Sequence, residues 1–143
     1  MQSILISDDK DLLDLISVHE LLSNEAPWAK GISFETVKVS VENSLCIGAY
    51  LNNTQVGFCR VITDYSTFGN LVDVIVWPSH RGTGISKLLM DAVMSHEKLS
   101  GLRRFTLASS NAQGLYSKFG FLPVANPEIF MERYNPDVYS KAL

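Results

Sequence analysis

Apolar and polar positions follow two different periods along this 143-residue chain, and the sharpest change between them falls at residues 71–90. Leu71-Val72-Asp73-Val74-Ile75-Val76 is a nearly continuous apolar run of strand length, and Trp77-Pro78 stops it. Arg81-Gly82-Thr83-Gly84 then turns the chain into a segment where Ile85, Leu88, Leu89, Ala92 and Val93 recur at helical spacing, with Ser86, Lys87 and Asp91 opposite. The pattern predicts a buried strand, a tight turn and an amphipathic helix that covers a sheet.

The same reading divides the rest of the chain. A short strand is expected at residues 3–7 and a helix at 9–22, with Leu12, Leu15, Ile16 and Leu22 on its buried side. Pro27 and Gly31 break that helix, and Ser33 can cap a second one that runs through Val37 and Val41 to about Asn43. Residues 45–51 and 55–63 read as a hairpin turned at Asn52-Asn53, a pair that tolerates positive backbone dihedrals. Residues 104–108 read as a strand and 112–119 as a short helix stopped by Gly120. Two more strands are expected at 121–124 and 129–133. Strands first, then a strand-helix-strand crossover, give an α/β chain with a mixed, mostly antiparallel sheet of six to seven strands and about four helices.

The turn at Arg81–Gly84 is also a chemical feature. A strand that ends at a glycine-punctuated turn before a helix start leaves several N–H groups aimed at one spot, where the positive end of the helix dipole also acts. Gly82 and Gly84 permit close approach, and Arg81 adds a permanent charge. A phosphate suits such a place, although a tight connection with no ligand has the same local pattern. The Gly-x-x-x-x-Gly-Lys-Ser/Thr and Gly-x-Gly-x-x-Gly phosphate loops are both absent.

Composition narrows the partners. The length suits a single domain spanning residues 1–143. Hydrophobic residues at 46% and charged residues at 19% are ordinary for a compact protein. A net charge of −3 argues against nucleic acid as the main partner. No apolar run approaches the roughly 20 residues of a membrane helix, and the start of the chain does not read as a secretory leader. Cys46 and Cys59 sit in strand-like runs and read as reduced, buried thiols, so a cytoplasmic setting is expected. Three histidines and no cysteine pair at ligand spacing make a structural metal improbable.

The run Val76-Trp77-Pro78-Ser79-His80-Arg81-Gly82-Thr83-Gly84-Ile85 resembles the acyl-CoA-binding segment of the GNAT superfamily of N-acetyltransferases, with its Arg/Gln-x-x-Gly-x-Gly/Ala core. Arg81 and Gly84 match, and Ser86 stands where the family usually has Gly or Ala. A second segment similar to the family follows, Asn111-Ala112-Gln113-Gly114-Leu115-Tyr116-Ser117-Lys118-Phe119-Gly120-Phe121. Small single-domain bacterial members without a settled acceptor often carry Asp and His where this chain has Asn111 and Gln113. Both differences remove a titratable group.

The resemblance implies acetyl-CoA as co-substrate, with its pantetheine arm along Val74-Ile75-Val76 and its pyrophosphate at Arg81, Gly82, Thr83, Gly84, Ile85 and Ser86. It implies an acid on the departing thiolate at Tyr116, and a phenol with a pKa near ~10 keeps its proton at neutral pH. The alternative for Tyr116 is a core aromatic in series with Phe119 and Phe121. Alkylamines with pKa near ~10.4 arrive protonated, so a proton acceptor is needed. Asp73, which interrupts an apolar strand, is the leading candidate, and pairing with Arg60 is its structural alternative. Asn111 is expected to cap the last helix, contact CoA, or do both. Trp28, Tyr65 and Trp77 are candidates to line the acceptor site.

The expected acceptor is a small-molecule amine or a protein amino group, with homodimerisation left open. Two other readings stay in play: a non-catalytic CoA-binding or partner-binding module, and a transferase for a longer acyl group.

Overall fold

The structure is a computed structural model that describes residues 3–140. Met1 and Gln2, part of the start that was read as lacking a leader, lie outside the described residues. Five strands form one sheet in chain order: β1 (Leu5–Ser7), β2 (Leu45–Leu51), β3 (Thr54–Thr63), β4 (Phe68–Val76) and β5 (Arg104–Leu107). The first four are antiparallel neighbours, and β5 lies parallel to β4. Four α-helices accompany them: α1 (Leu15–Glu25), α2 (Phe34–Glu42), α3 (Ile85–Ser95) and α4 (Gln113–Ser117).

The expected mixed sheet is present, but with five strands rather than six to seven. Residues 121–124 and 129–133 pair with no strand. Their apolar composition suits a strand, but a strand also needs a neighbour to take its N–H and C=O groups. The first helix is likewise displaced. A single 3-10 turn spans Lys10–Leu12, and α1 starts only where the Asp14 side chain accepts from the Ser17 N–H. Val18, Leu21 and Leu22 form its buried side, whereas Leu12 and Ile16 are exposed. The caps read from sequence hold elsewhere: the Ser33 hydroxyl accepts from the Thr36 N–H to open α2, and Asn52 and Asn53 both have positive φ in the β2–β3 turn.

The sheet separates two hydrophobic clusters. On one face Ile47, Val61 and Leu71 pack under Ile85, Leu89 and Val93 of α3. On the other, Cys46, Phe58 and Ile75 pack under Val18 and Leu22 of α1 and Val37 and Val41 of α2. Leu71 and Ile75 lie on one strand four residues apart, yet face opposite clusters. A bulge explains this. Between Phe58↔Ile75 and Arg60↔Val72, β4 advances three residues while β3 advances two, and Asp73 at the bulge has φ of 53°. One extra residue reverses the pleat and re-aims the side chains that follow.

Burial raises the pKa of both free thiols, that of Cys46 to about 11. Both are packed in the two clusters. Among the described residues, no helix is long and apolar enough to cross a membrane, and no group of three His, Cys, Asp or Glu is gathered for a metal.

Gly57 forms the floor under the start of α3. A Cβ built there would lie 2.7 Å from Ile85 Cγ2 and 3.1 Å from Ala49 Cβ. Gly57→Ala is expected to cost about 1–3 kcal/mol, the scale of overpacking a filled core. Urea unfolding should show a lower midpoint at unchanged m-value.

Candidate active site

β4 and β5 pair only from Phe68↔Arg104 to Leu71↔Leu107. Beyond Leu71, β4 runs on for five residues with no partner on that side, because the bulge turns it away and β5 ends at Leu107. The Trp77 N–H donates to the Val56 carbonyl on the β3 side. Backbone groups alternate along a strand, so those of Val76 and Val74 face the gap. Consistent with this, the Val76 carbonyl accepts from Arg81 Nε at 3.0 Å.

At the mouth of the gap, Gly82 and Gly84 have φ of 76° and 89°, and Gly84 is the residue before the first turn of α3. A Cβ built on either would meet nothing within 4 Å, so they are required by their backbone angles, and the space beside them is open. None of the backbone N–H groups of residues 82–87 donates to a described residue. They remain available to an anion at the positive end of the helix dipole. A cavity of about 630 Å3 joins this loop to Val74-Ile75-Val76 and reaches Asn111. The loop and the strand edge therefore fit a nucleotide-bearing arm that ends in phosphates.

A second cavity of about 620 Å3 lies further along the gap, where Asp73, Arg60, Asn70, Ser109 and Tyr116 meet. Trp28, Val74, Ser86, Asn111 and Leu115 border both cavities, so the two are continuous. Asp73 accepts from Arg60 Nε and from Trp28 Nε1, each at 3.0 Å. Arg60 in turn donates to the Ser44 hydroxyl at 3.0 Å. The side chains of Arg60 and Asp73 are only 14% and 9% exposed. The bulge thus sends a carboxylate into a mostly buried ion pair that also holds the indole bordering both cavities.

The acetyltransferase (GNAT) domain profile matches residues 42–123, more than half of the chain. The chain belongs to the GNAT acetyltransferase family. It is 50% identical to a GNAT-family acetyltransferase structure from Xanthomonas campestris pv. campestris, with a TM-score of 0.96 and 99% of each chain covered. A Gibberella zeae protein named as an acetyltransferase is 30% identical over 136 residues, covering 80% of this chain and 76% of that protein. The ribosomal protein bS18 alanine N-acetyltransferase of Haemophilus influenzae is 32% identical over 101 residues, covering 66% of this chain and 64% of that enzyme. The reaction class is acyl transfer, and the family acts on amines with acetyl-CoA.

With that family in view, the gap gathers most of the residues singled out from sequence. Val74, Ile75, Val76, Arg81, Gly82, Gly84, Ile85, Ser86, Asn111 and Trp28 line the first cavity, and Asp73 and Tyr116 line the second. The side chains of three others are directed elsewhere. The Thr83 hydroxyl turns back to donate to the His80 carbonyl at 2.6 Å. The Trp77 indole donates to the Ser17 hydroxyl at 2.7 Å and packs on the α1/α2 cluster. Tyr65 sits in the β3–β4 turn, at the opposite end of β4, with Lys98 5.6 Å from its ring centre. That turn is built by Asp64, whose carboxylate accepts from the N–H groups of Thr67, Ser66 and Phe68, interactions that lower its pKa. Turn chemistry accounts for the Asp64 contacts, and Tyr65 borders neither cavity.

Asn111 does not cap α4. The cap position is Ala112, whose N–H donates to the Ser109 hydroxyl at 2.9 Å, which leaves the Asn111 side chain at the junction of the cavities. Sequence reading also missed Tyr139 as a cavity wall. It is brought there by the return of the chain end, and its carbonyl lies against Gly31, where a Cβ would come within 2.7 Å. No local signal links residues 139 and 31. Arg81 reaches the Glu25 carboxylate at 3.9 Å, but both are more than half exposed, so this pair contributes little to stability.

Tyr116 is 9% exposed, with its ring edge-on to Phe121. Burial, reinforced by Cys59, raises the pKa of its hydroxyl, which favours the protonated form. Core packing and a place in the cavity wall thus coexist in this residue.

Asp73→Asn keeps a residue that tolerates positive φ but leaves Arg60 without its counter-charge. Removing one member of a mostly buried pair is expected to cost about 2–4 kcal/mol. Urea unfolding of the variant tests this, and an unchanged midpoint would show that the pair holds nothing together.

Proposed function

We propose that this protein moves an acetyl group from acetyl-CoA to a primary amine by direct attack within a ternary complex. The observation that carries the reading is the continuity of the two cavities at Val74, Ser86 and Asn111. A donor held by the loop and strand edge would present its acyl end to an amine lying beside Asp73 and Tyr116.

In this mechanism the free N–H groups of residues 82–87 bind the pyrophosphate, with Arg81 beside them. Backbone amides of β4 facing the gap hold the pantetheine arm, and one of them steadies the carbonyl oxygen as negative charge builds there. The ammonium first gives one proton to water, and the neutral nitrogen then forms its bond to the acetyl carbon and gives a second proton to water. The carbon–sulfur bond breaks, and its electron pair leaves with sulfur. Tyr116 gives its hydroxyl proton to that sulfur and regains one from solvent.

Asp73 accepts a hydrogen bond from the incoming amine on a lone pair not used by Arg60 or Trp28. Because Arg60 already compensates its charge, it orients the amine while the proton passes on to water. Trp28, 60% exposed and bordering both cavities, covers the acceptor. The acceptor is a small-molecule amine or a protein amino group. The Haemophilus relative, named for an alanine of a ribosomal protein, supports keeping the second in any screen.

Thermal unfolding with acetyl-CoA tests the donor site. At a hundredfold excess over Kd, bound ligand adds about 2.7 kcal/mol, visible as a higher Tm. No shift at saturating ligand would overturn the donor assignment. A shift without transfer to any small amine or peptide amino terminus would favour the non-catalytic binding module.

Tyr116→Phe should lower kcat by about 10- to 1000-fold with acetyl-CoA affinity kept, the scale of lost general-acid help. Since burial raises the hydroxyl pKa, the donor form persists to higher pH. Any fall in wild-type kcat through Tyr116 ionisation should therefore come above pH ~10, the ordinary phenol value. Unchanged turnover in the variant would remove Tyr116 from the mechanism.

A further inference from the structure

Among the described residues that line the second cavity, only Arg60 and Asp73 carry charge, and they neutralise each other. An acceptor with several ammonium groups would find no further counter-charge there. The cation of this pair is also incompletely used. Arg60 spends Nε on Asp73 and Nη1 on Ser44, each at 3.0 Å, and a guanidinium carries more N–H donors than these two bonds take. Its Nη2 donates to no described residue. Tyr50 Oη is the one buried side-chain nitrogen or oxygen without a partner among the described residues, so Nη2 is not sealed in the core. A charged donor left open at a cavity wall is set to meet an anionic oxygen.

Asn70 supplies a second donor. It stands two residues before Val72, the ladder partner of Arg60, so both side chains rise from the same face of the sheet. Its Oδ1 accepts from the Thr106 hydroxyl at 2.9 Å, and its Nδ2 donates to no described residue. Arg60 and Asn70 thus bring unused donors to the cavity that also holds the Asp73 carboxylate.

We propose that the acceptor is a free α-amino acid with an uncharged side chain, held by its carboxylate on Arg60 Nη2 and Asn70 Nδ2 while its amine meets Asp73. The proposal rests on the acetyl-transfer reading above and specifies its acceptor. Arg60 and Asp73 are bonded to each other, so the two groups that answer them must also lie close together, as an amine and a carboxylate on one α-carbon do. A peptide amino terminus offers Arg60 only a neutral carbonyl, and a plain amine offers it nothing. Uncharged residues such as Leu22 and Ile32 make up the rest of the wall, which suits an uncharged side chain. The carboxylate takes no part in the bond changes: the nitrogen–acetyl bond forms, the carbon–sulfur bond breaks, and the products are the N-acetyl amino acid and CoA.

CoA release from acetyl-CoA, followed with the uncharged L-amino acids, their carboxamides, short peptides and plain amines such as 2-phenylethylamine, tests the assignment. For at least one amino acid, kcat/KM should exceed that of its carboxamide by about 10- to 100-fold, the scale of hydrogen bonds to a charged group. Asn70→Ala should shrink that preference about 10-fold, chiefly through KM. Arg60→Lys, which keeps the charge opposite Asp73 but loses the planar set of donors, should shrink it as well. A binding readout stands apart from turnover: with CoA present, the N-acetyl amino acid should raise Tm more than its N-acetyl carboxamide. Carboxamides, peptides or plain amines acetylated as well as the free amino acids would overturn the acceptor class and leave acetyl transfer standing. A preference that survives unchanged in both variants would overturn the carboxylate site. Acetylation of none of these amines, with acetyl-CoA still raising Tm, would overturn acetyl transfer itself and the acceptor class with it.

Discussion

The site depends on the limited pairing of β4 with β5. Four residue pairs hold the two strands in parallel, and the bulge at Asp73 then carries β4 away. Without that separation β4 would donate its edge to a neighbour, and its amides would be spent on the sheet. With it, a strand stays paired to β3 on one side except at the bulge, and presents unused main-chain groups on the other. A half-buried strand edge is costly unless something satisfies it.

The bulge does three things with one residue. It reverses the pleat so that Leu71 and Ile75 anchor β4 in clusters on opposite faces of the sheet. It places Asp73 in the left-handed region at a cost of about 1–3 kcal/mol. It also directs the Asp73 carboxylate to Arg60 and Trp28, charge-assisted contacts that offset the strain. The ion pair and the backbone distortion therefore support each other. The indole that borders both cavities is held by the same carboxylate, so sheet geometry and the cavity wall are coupled.

The loop before α3 works by different physics. Its two positive-φ glycines turn successive N–H groups toward the gap, and α3, packed by Ile85, Leu89 and Val93 on the sheet, fixes the direction of its dipole. Gly57 lets that helix start sit close to β3. Its unpaired N–H groups are main-chain atoms whose position follows from packing. Arg81, bonded back to the Val76 carbonyl, ties the loop to the end of β4.

Local patterns determined much of this by themselves. The strand at Leu71–Val76, the Arg81–Gly84 turn and the periodicity of α3 are neighbours in sequence, and backbone preference with side-chain burial acts over that range. The Asn52-Asn53 turn and the Ser33 cap were legible for the same reason. Tertiary structure alone decided what depends on partners far along the chain. Whether Asp73 would be a free acid or the partner of Arg60 turned on the register of β3 against β4. Tyr65 looked like a pocket aromatic until the Asp64 turn placed it at the wrong end of β4. Tyr139 entered the cavity wall through a contact with Gly31 across more than a hundred residues. Residues 121–124 and 129–133 have the composition of strands without the partner that would make them so, because hydrogen-bond pairing is a property of two segments and cannot be written in one.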